Sequence, residues 1–176
     1  NKSELLYSSV IHKQRYYPIN GGSSCCNVTI DDPDLVSMCC DVLKTIRWTG
    51  FADFDLIEDT KDSILKIMEI NPRIPACIKS SVESGIDYGI IIAEYSLGKE
   101  SKNYNYISGK SLRHLGFDLL WFFSSPNRFK STPNWFKFFK KGLSFQDISL
   151  SDPLPFFYGT IGNFISMLKP SFRKSK

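Results

Sequence analysis

A short part of the chain concentrates polar side chains that could bind a metal ion and an anion. These are Asp53 and Asp55, which alternate along one apolar segment, and Glu69, Asn71 and Arg73, which alternate along the next. Side chains two positions apart in a strand point to the same face. A hairpin that closes at the polar turn 59–63 therefore brings Asp55 opposite Glu69. Neighbouring carboxylates repel each other, and a hard divalent cation such as Mg²⁺ or Mn²⁺ removes that repulsion.

Arg73 adds a second kind of chemistry to this hairpin. Its guanidinium is a forked donor that matches phosphate or carboxylate oxygens. A metal ion and an arginine beside an anionic substrate are what phosphoryl transfer requires, because that reaction depends on positioning and charge stabilisation. The alternation is equally compatible with polar residues on the solvent face of an ordinary hairpin, and the spacing alone does not separate the two interpretations.

The elements around the hairpin predict an α+β fold, with a mainly antiparallel sheet and flanking helices. Asp32 and Pro33 are typical of a helix start, with a capping carboxylate before a proline in the first turn. The pattern predicts strands over 4–12, 25–30, 51–57 and 64–71, helices over 33–47 and 75–83, and either a helix or a strand over 88–97. A short apolar helix is expected over 115–123 and another near the C-terminus.

Composition changes near residue 98. Residues 1–98 hold 9 Lys and Arg against 14 Asp and Glu, a net charge of −5, whereas residues 99–176 hold 13 against 4, a net charge of +9. We expect a compact unit over 1–98 and a basic, aromatic-rich, mostly helical C-terminal extension over 99–176. No apolar run approaches the roughly 18–20 residues that cross a bilayer, and no signal peptide is evident. The five cysteines do not follow zinc-site spacing, which favours thiols in a reducing cytoplasm.

Residues 50–73 resemble the metal-binding hairpin of ATP-grasp ligases, especially those similar to the large subunit of carbamoyl-phosphate synthase. Gly50 is followed after four residues by Asp55 and, beyond the turn, by the run Glu69-Ile70-Asn71-Pro72-Arg73. Several chemically demanding residues therefore fall at the spacing of that family. The resemblance covers residues 1–98 and implies the C-terminal subdomain of an ATP-grasp domain.

The resemblance also implies roles for individual residues. Glu69 would bridge two Mg²⁺ ions, with Asp55 binding one ion and Asn71 the other, and the ions would hold the β- and γ-phosphates of ATP. Arg73 would be the catalytic residue that steadies the transferred phosphoryl group. The remaining candidates, implied to lie beside the nucleotide or the reacting carboxylate, are Gly21, Gly22, Ser23 and Arg15.

The implied reaction is the ATP-dependent activation of a small-molecule carboxylate through an acyl phosphate, which an amine or another nucleophile then displaces. No protein nucleophile is needed. The chain resembles only the C-terminal half of such a ligase, so we expect an N-terminal half of the same protein to supply the glycine-rich loop and the adenine site. The isolated chain is then expected to bind nucleotide weakly and not to turn over ATP. The sequence leaves open whether the chain forms a homo-oligomer.

Two other functions are considered. A metal-dependent nuclease also places an acid pair on a hairpin, but it needs a lysine two residues after the glutamate, where this chain has Asn71. A non-catalytic module could bind an anionic ligand or a membrane surface, or stack on single-stranded nucleic acid, through the stretch 127–142. We favour a helix there, with Trp135, Phe136 and Phe139 facing the core and the lysines in water. We expect no nucleic-acid partner.

Overall fold

The computed structural model describes residues 4–99, 104–149 and 151–168. In chain order its elements are β1 Val10–Tyr17, β2 Ser23–Ile30, α1 Pro33–Thr45, β3 Asp53–Glu58, β4 Leu65–Asn71, α2 Lys79–Glu83, α3 Tyr88–Ser96, β5 Ser111–Arg113, α4 Leu115–Ser124, β6 Leu143–Phe145 and α5 Leu154–Leu168. The predicted α+β class is confirmed. No helix in the described part of the chain has both the length and the apolar character that a bilayer crossing requires.

The strands form two sheets. One has four strands in the order β1-β2-β5-β6, with β2 and β5 antiparallel and β5 and β6 parallel. The other is the antiparallel hairpin of β3 and β4. The four-stranded sheet thus combines strands from before and after residue 98.

The chain folds into two compact units. Unit 1 contains the residues up to Val10 together with Ile30–Tyr106, and unit 2 contains Ile11–Thr29 together with the residues from Ile107 onward. These units follow a different division from the predicted 1–98 and 99–176. The sequence division stays a prediction about the extent of the ATP-grasp-like part.

Unit 1 holds the β3–β4 hairpin, α1, α2 and α3. Helix α1 begins as predicted: Pro33 occupies its first turn, and the Asp32 carboxylate accepts from the backbone N–H of Leu35 at 3.0 Å. The segment 88–97, left open between helix and strand, is helical. The hydrophobic core of unit 1 consists of Ile86, Tyr88 and Ile91. The residues packed around them are Tyr7, Phe51, Ile78, Tyr104 and Tyr106.

Two elements begin well inside their predicted ranges. The strand expected over 4–12 begins only at Val10. The preceding segment is held by side chains instead: Ser9 Oγ lies 2.8 Å from Ser81 Oγ and accepts from the Tyr88 hydroxyl at 3.2 Å. The helix expected over 75–83 is reduced to α2. Its first turn closes through hydrogen bonds between residues three apart, such as the bond from the Ile78 N–H to the Pro75 carbonyl at 3.2 Å.

Unit 2 is organised around one buried carboxylate. Asp118 on α4 has a fully buried side chain. Arg15 from β1 donates to it through Nε at 2.7 Å and Nη2 at 2.9 Å. Arg113 from β5 donates through Nε at 2.7 Å and also through Nη2. Burial by itself would lower the pKa of Arg15, but the hydrogen bond and the charge of Asp118 outweigh it and raise that pKa.

The helix predicted over 127–142 does not form. The two arginines bind backbone carbonyls within this stretch. Arg15 Nη1 donates to the Pro133 carbonyl at 2.8 Å, and Arg113 Nη1 donates to the Trp135 carbonyl at 3.0 Å. The segment closes through short turns, in which the Lys137 N–H donates to the Asn134 carbonyl at 3.2 Å and the Phe138 N–H donates to the Phe136 carbonyl at 2.9 Å. Trp135 is buried as expected, but Phe136 and Phe139 are exposed.

A second carboxylate fixes the start of α4. Asp147 accepts from the backbone N–H of Leu115 and of Gly116, each at 2.8 Å, and lies 3.1 Å from His114 Nδ1. Burial by itself would raise the pKa of Asp147, but these hydrogen bonds outweigh burial and lower it. The carboxylate therefore holds the helix end that carries Asp118.

Replacing Asp118 tests the buried cluster. Asp118→Asn leaves two arginines in the interior without their carboxylate, and breaking a buried pair in this way costs about 3–5 kcal/mol. We expect urea unfolding to show a loss of that size. Asp152→Asn, at an exposed position, is the matched control and should stay within about 0.5 kcal/mol of the wild type. A loss below about 1 kcal/mol for Asp118→Asn would contradict the structural role.

Acid should weaken the α4 anchor. Because the pKa of Asp147 is depressed in the folded protein, its contribution to stability is present above the unfolded value of 3.8 and is lost as the pH falls towards the folded value. The wild type should therefore be more stable than Asp147→Asn at about pH 6, and the difference should shrink by about pH 3. Urea unfolding at both pH values measures this. A difference that does not change with pH would contradict it.

Candidate metal and phosphate site

The register of the β3–β4 hairpin aligns the predicted ligands. Asp55 lies directly opposite Glu69, and Asp53 lies directly opposite Asn71. Directly opposed residues of an antiparallel pair share a face, with Cβ atoms about 4.5–5.5 Å apart. The expected pairing of Asp55 and Glu69 is confirmed. Four side chains with oxygen donors therefore lie together on one face of the hairpin.

A β-bulge lies next to this site. The register shifts between Asp55 and Leu56, because Leu56 pairs with Ile67 and leaves Met68 as the extra residue of β4. Bulges increase the local twist and redirect neighbouring side chains. The sequence predicted an uninterrupted period of two in this strand, and the bulge departs from it. Because of the bulge, Ile67 and Ile70 lie on the same apolar face of the hairpin although they are three residues apart.

The other face of the hairpin is apolar. Phe54, Leu56, Ile67 and Ile70 are half-buried on it. On the polar face Asp55 is half-buried and Glu69 is exposed, whereas Asn71 at the end of β4 is only 8% exposed. Glu69 is therefore open to a ligand, while its neighbours are held by the fold.

The far end of the hairpin is closed by charged side chains. Lys66 Nζ donates to Asp59 and, at 3.2 Å, to Asp62. The Asp59 carboxylate also accepts from the Lys61 backbone N–H at 3.0 Å. Both bonds lower the pKa of Asp59, and the bond from Lys66 has the larger effect. The predicted turn is confirmed. Its two acids belong to the turn and not to the ligand cluster.

The polar face carries oxygen donors of the type that Mg²⁺ and Mn²⁺ bind. Within residues 4–99, 104–149 and 151–168, no three His, Cys, Asp or Glu side chains are grouped so as to hold a metal ion. The polar face instead offers the Asp55 and Glu69 carboxylates and the Asn71 carboxamide. Mg²⁺ is commonly held by one or two carboxylates and completes its octahedron with water and substrate phosphates. Such a site would hold the ion firmly only when a phosphate-bearing ligand is present.

Arg73 lies just beyond the end of β4 and is exposed. Pro72 separates it from Asn71, and a proline cannot donate to a further strand bond. The strand therefore ends at Asn71, and Arg73 lies outside it. Its position permits a contact with an anion held at the polar face, and its predicted catalytic role stays a prediction.

The other predicted ligand residues lie in unit 2. Gly21 has a φ of 130°, and its N–H donates to the Pro18 carbonyl at 3.1 Å in a tight turn. A Cβ at Gly22 would lie 2.4 Å from the Tyr17 carbonyl oxygen, so close backbone packing explains that glycine. Ser23 opens β2 and is exposed. A contact of this loop with a ligand stays a prediction.

The predicted ligand role of Arg15 is wrong for this structure. Its side chain is 2% exposed, and three of its nitrogens donate to Asp118 and to the Pro133 carbonyl. A guanidinium in this position has no access to a nucleotide, so Arg15 is a structural residue. The sequence analysis missed its partner Asp118, whose signal was a single carboxylate inside the apolar run Leu115–Phe123.

One family model matches this chain. A family model described as "ATP-grasp in the biosynthetic pathway with Ter operon" matches residues 9–115, more than half of the chain. The matched range contains the whole β3–β4 hairpin. No curated protein and no solved structure matches the chain.

The metal site is tested with Mn²⁺, which replaces Mg²⁺ and gives an electron paramagnetic resonance signal that falls on binding. Glu69→Gln removes one of two carboxylate ligands, and we expect Mn²⁺ affinity in the presence of ATP to fall at least about tenfold. Glu58→Gln is the matched control, because Glu58 pairs with Leu65 on the opposite face of the same hairpin. Equal effects of the two changes would contradict a specific site.

Proposed function

The chain belongs to the ATP-grasp family, and from that premise we propose that it is part of a Mg²⁺-dependent ligase that uses ATP to activate a carboxylate. The observation that carries this proposal is the register of the hairpin, which pairs Asp55 with Glu69 and ends two residues before Arg73. Family membership supports nucleotide binding and ligase chemistry. The hairpin supports a location for the phosphates.

The residues have distinct proposed roles. Asp55, Glu69 and Asn71 would hold Mg²⁺ through their oxygens, and the bound ion would neutralise charge on the β- and γ-phosphates of ATP. Arg73 would donate two parallel hydrogen bonds to the transferred phosphoryl group. The half-buried Asp55 fixes one side of the site, and the exposed Glu69 leaves the other side open to the nucleotide.

The proposed reaction has two steps. A carboxylate oxygen of the substrate attacks the γ-phosphorus, the bond to the β–γ bridging oxygen breaks, and ADP leaves. The resulting acyl phosphate is then attacked by an amine or a similar nucleophile, which expels inorganic phosphate. Catalysis of this kind depends on alignment and charge stabilisation. The similarity to the large subunit of carbamoyl-phosphate synthase is part of this proposal.

Several finer points stay predictions. These are the assignment of 1–98 to the C-terminal ATP-grasp subdomain, an N-terminal half that completes the nucleotide site, a cytoplasmic location and a homo-oligomeric state. The cytoplasmic location rests on the sequence pattern of the five cysteines. The metal-dependent nuclease is the less favoured alternative, since Asn71 and not lysine follows Glu69 by two residues.

Nuclear magnetic resonance suits the test, because it detects weak binding to a chain of 20.1 kDa. We expect Mg²⁺ with a non-hydrolysable ATP analogue to shift backbone signals of 53–55 and 69–73 and to shift them less without Mg²⁺. Arg73→Ala should weaken binding about tenfold or more, as expected for the loss of hydrogen bonds between charged groups. Lys61→Ala, which removes a charge at the other end of the hairpin, should leave the affinity unchanged.

Three outcomes would contradict parts of this account. Signal shifts located away from the hairpin would overturn the proposed phosphate site. Release of ADP by this chain alone would contradict the predicted need for an N-terminal half. Plasmid cleavage in Mn²⁺ that is abolished by Glu69→Gln would favour the nuclease.

A further inference from the structure

Unit 2 carries a basic segment without acidic residues. Between Asp118 and Asp147 the sequence contains five basic residues and no Asp or Glu. The basic residues are Arg128, Lys130, Lys137, Lys140 and Lys141. The four lysines are exposed. This part of the chain is therefore suited to meet an anionic partner.

Four phenylalanines of the same segment are exposed to solvent. The exposed fractions are 70% for Phe123, 65% for Phe129, 55% for Phe136 and 103% for Phe139. Together with the four exposed lysines they form what we call the aromatic–basic surface. The sequence favoured a helix that buried Phe136 and Phe139, and the absence of that helix removes the reason for treating this segment as an ordinary solvated face.

The phenylalanines are held in place from below. Trp135 is buried, and its Nε1 donates to the Asp118 carbonyl at 3.1 Å. The half-buried Phe122 contacts three of the exposed rings, with centroids 5.7 Å from Phe123, 5.6 Å from Phe129 and 5.8 Å from Phe136. Three of the four exposed rings are thus neighbours on a common base. Rings that are already ordered lose little conformational entropy on binding.

We propose that the aromatic–basic surface binds peripherally to an anionic phospholipid bilayer. Phenylalanine side chains enter the boundary between headgroups and acyl chains, while lysines beside them attract anionic headgroups. Contiguous exposed apolar side chains bordered by charge mark interaction surfaces. An anionic bilayer complements the charge of this segment, because the segment contains five basic residues and no acidic residue.

Single-stranded nucleic acid is the other anionic partner with an affinity for aromatic rings. Bases bind by stacking on open ring faces along a groove. Here Phe129 and Phe136 stack on each other, with centroids 6.3 Å apart and planes at 14°, and Arg128 lies 5.6 Å from the Phe129 ring centroid. Each of these two rings therefore already has one face turned to the other ring. Phe139, with no measurable burial, is better suited to insertion into lipid.

Vesicle sedimentation of the full chain tests the proposal. We expect binding to vesicles in which about a third of the lipid is phosphatidylglycerol, and little binding to pure phosphatidylcholine. Binding should weaken as salt is raised from about 0.1 M to about 1 M, because the screening length falls from about 10 Å to about 3 Å. An added Mg·ATP complex should not be required.

Variants separate the two contributions. Lys140→Ala with Lys141→Ala should reduce affinity for anionic vesicles more than tenfold, since each lysine near such a surface contributes about a fivefold factor. Phe139→Ser and Phe129→Ser should reduce it at every salt concentration, because they remove the inserted apolar groups. Leu97→Ser is the matched control, since Leu97 is 70% exposed in unit 1, and it should bind as the wild type does.

The outcomes decide between the partners. Thermal unfolding of each variant identifies any loss of folding. Phe139→Ser changes a fully exposed side chain, so we expect this variant to fold as the wild type does. Equal binding to neutral vesicles, no binding to either kind, or an unchanged affinity of Phe139→Ser would each overturn the proposal. Tight binding of a single-stranded oligonucleotide with no vesicle binding would assign the surface to nucleic acid. Glu69→Gln should leave vesicle binding unchanged, so this test is independent of the proposed ligase function.

Discussion

The pairing register of the β3–β4 hairpin is the constraint on which the candidate site depends. A slip of one residue would move Glu69 to the face opposite Asp55 and would separate the two carboxylates. The half-buried apolar face resists such a slip, because it would expose Phe54 and its neighbours. The bulge at Met68 and the ion pairs of the turn fix the register at two further points. These contacts hold Asp55 opposite Glu69.

The two units treat their carboxylates in opposite ways. In unit 2 the buried Asp118 receives its counter-charges from two arginines of the same chain, and the result is structural. In unit 1 the paired Asp55 and Glu69 lie on a surface where a cation and a phosphate can reach them. The contrast explains why the hairpin, and not the most buried charged cluster, is the candidate site.

Local patterns predicted the features that depend on nearby residues. The alternation of polar side chains and the polar turn predicted the hairpin and the pairing of Asp55 with Glu69, and Asp32 with Pro33 predicted the start of α1. Long-range contacts decided the rest. The helix expected around Trp135 does not form, and Arg15 and Arg113, which are distant in sequence, bind the Pro133 and Trp135 carbonyls of that segment. For the same reason the role of Arg15 could not be read from its type or its position.

A crystal structure of the chain with Mn²⁺ and a non-hydrolysable ATP analogue would test the central claim most directly, because manganese is located by its anomalous scattering. The account predicts a metal ion within coordination distance of the carboxylates of Asp55 and Glu69, with phosphate oxygens completing its shell and Arg73 turned towards the terminal phosphate. A metal–nucleotide complex bound elsewhere, with Glu69 left in contact with water alone, would contradict it.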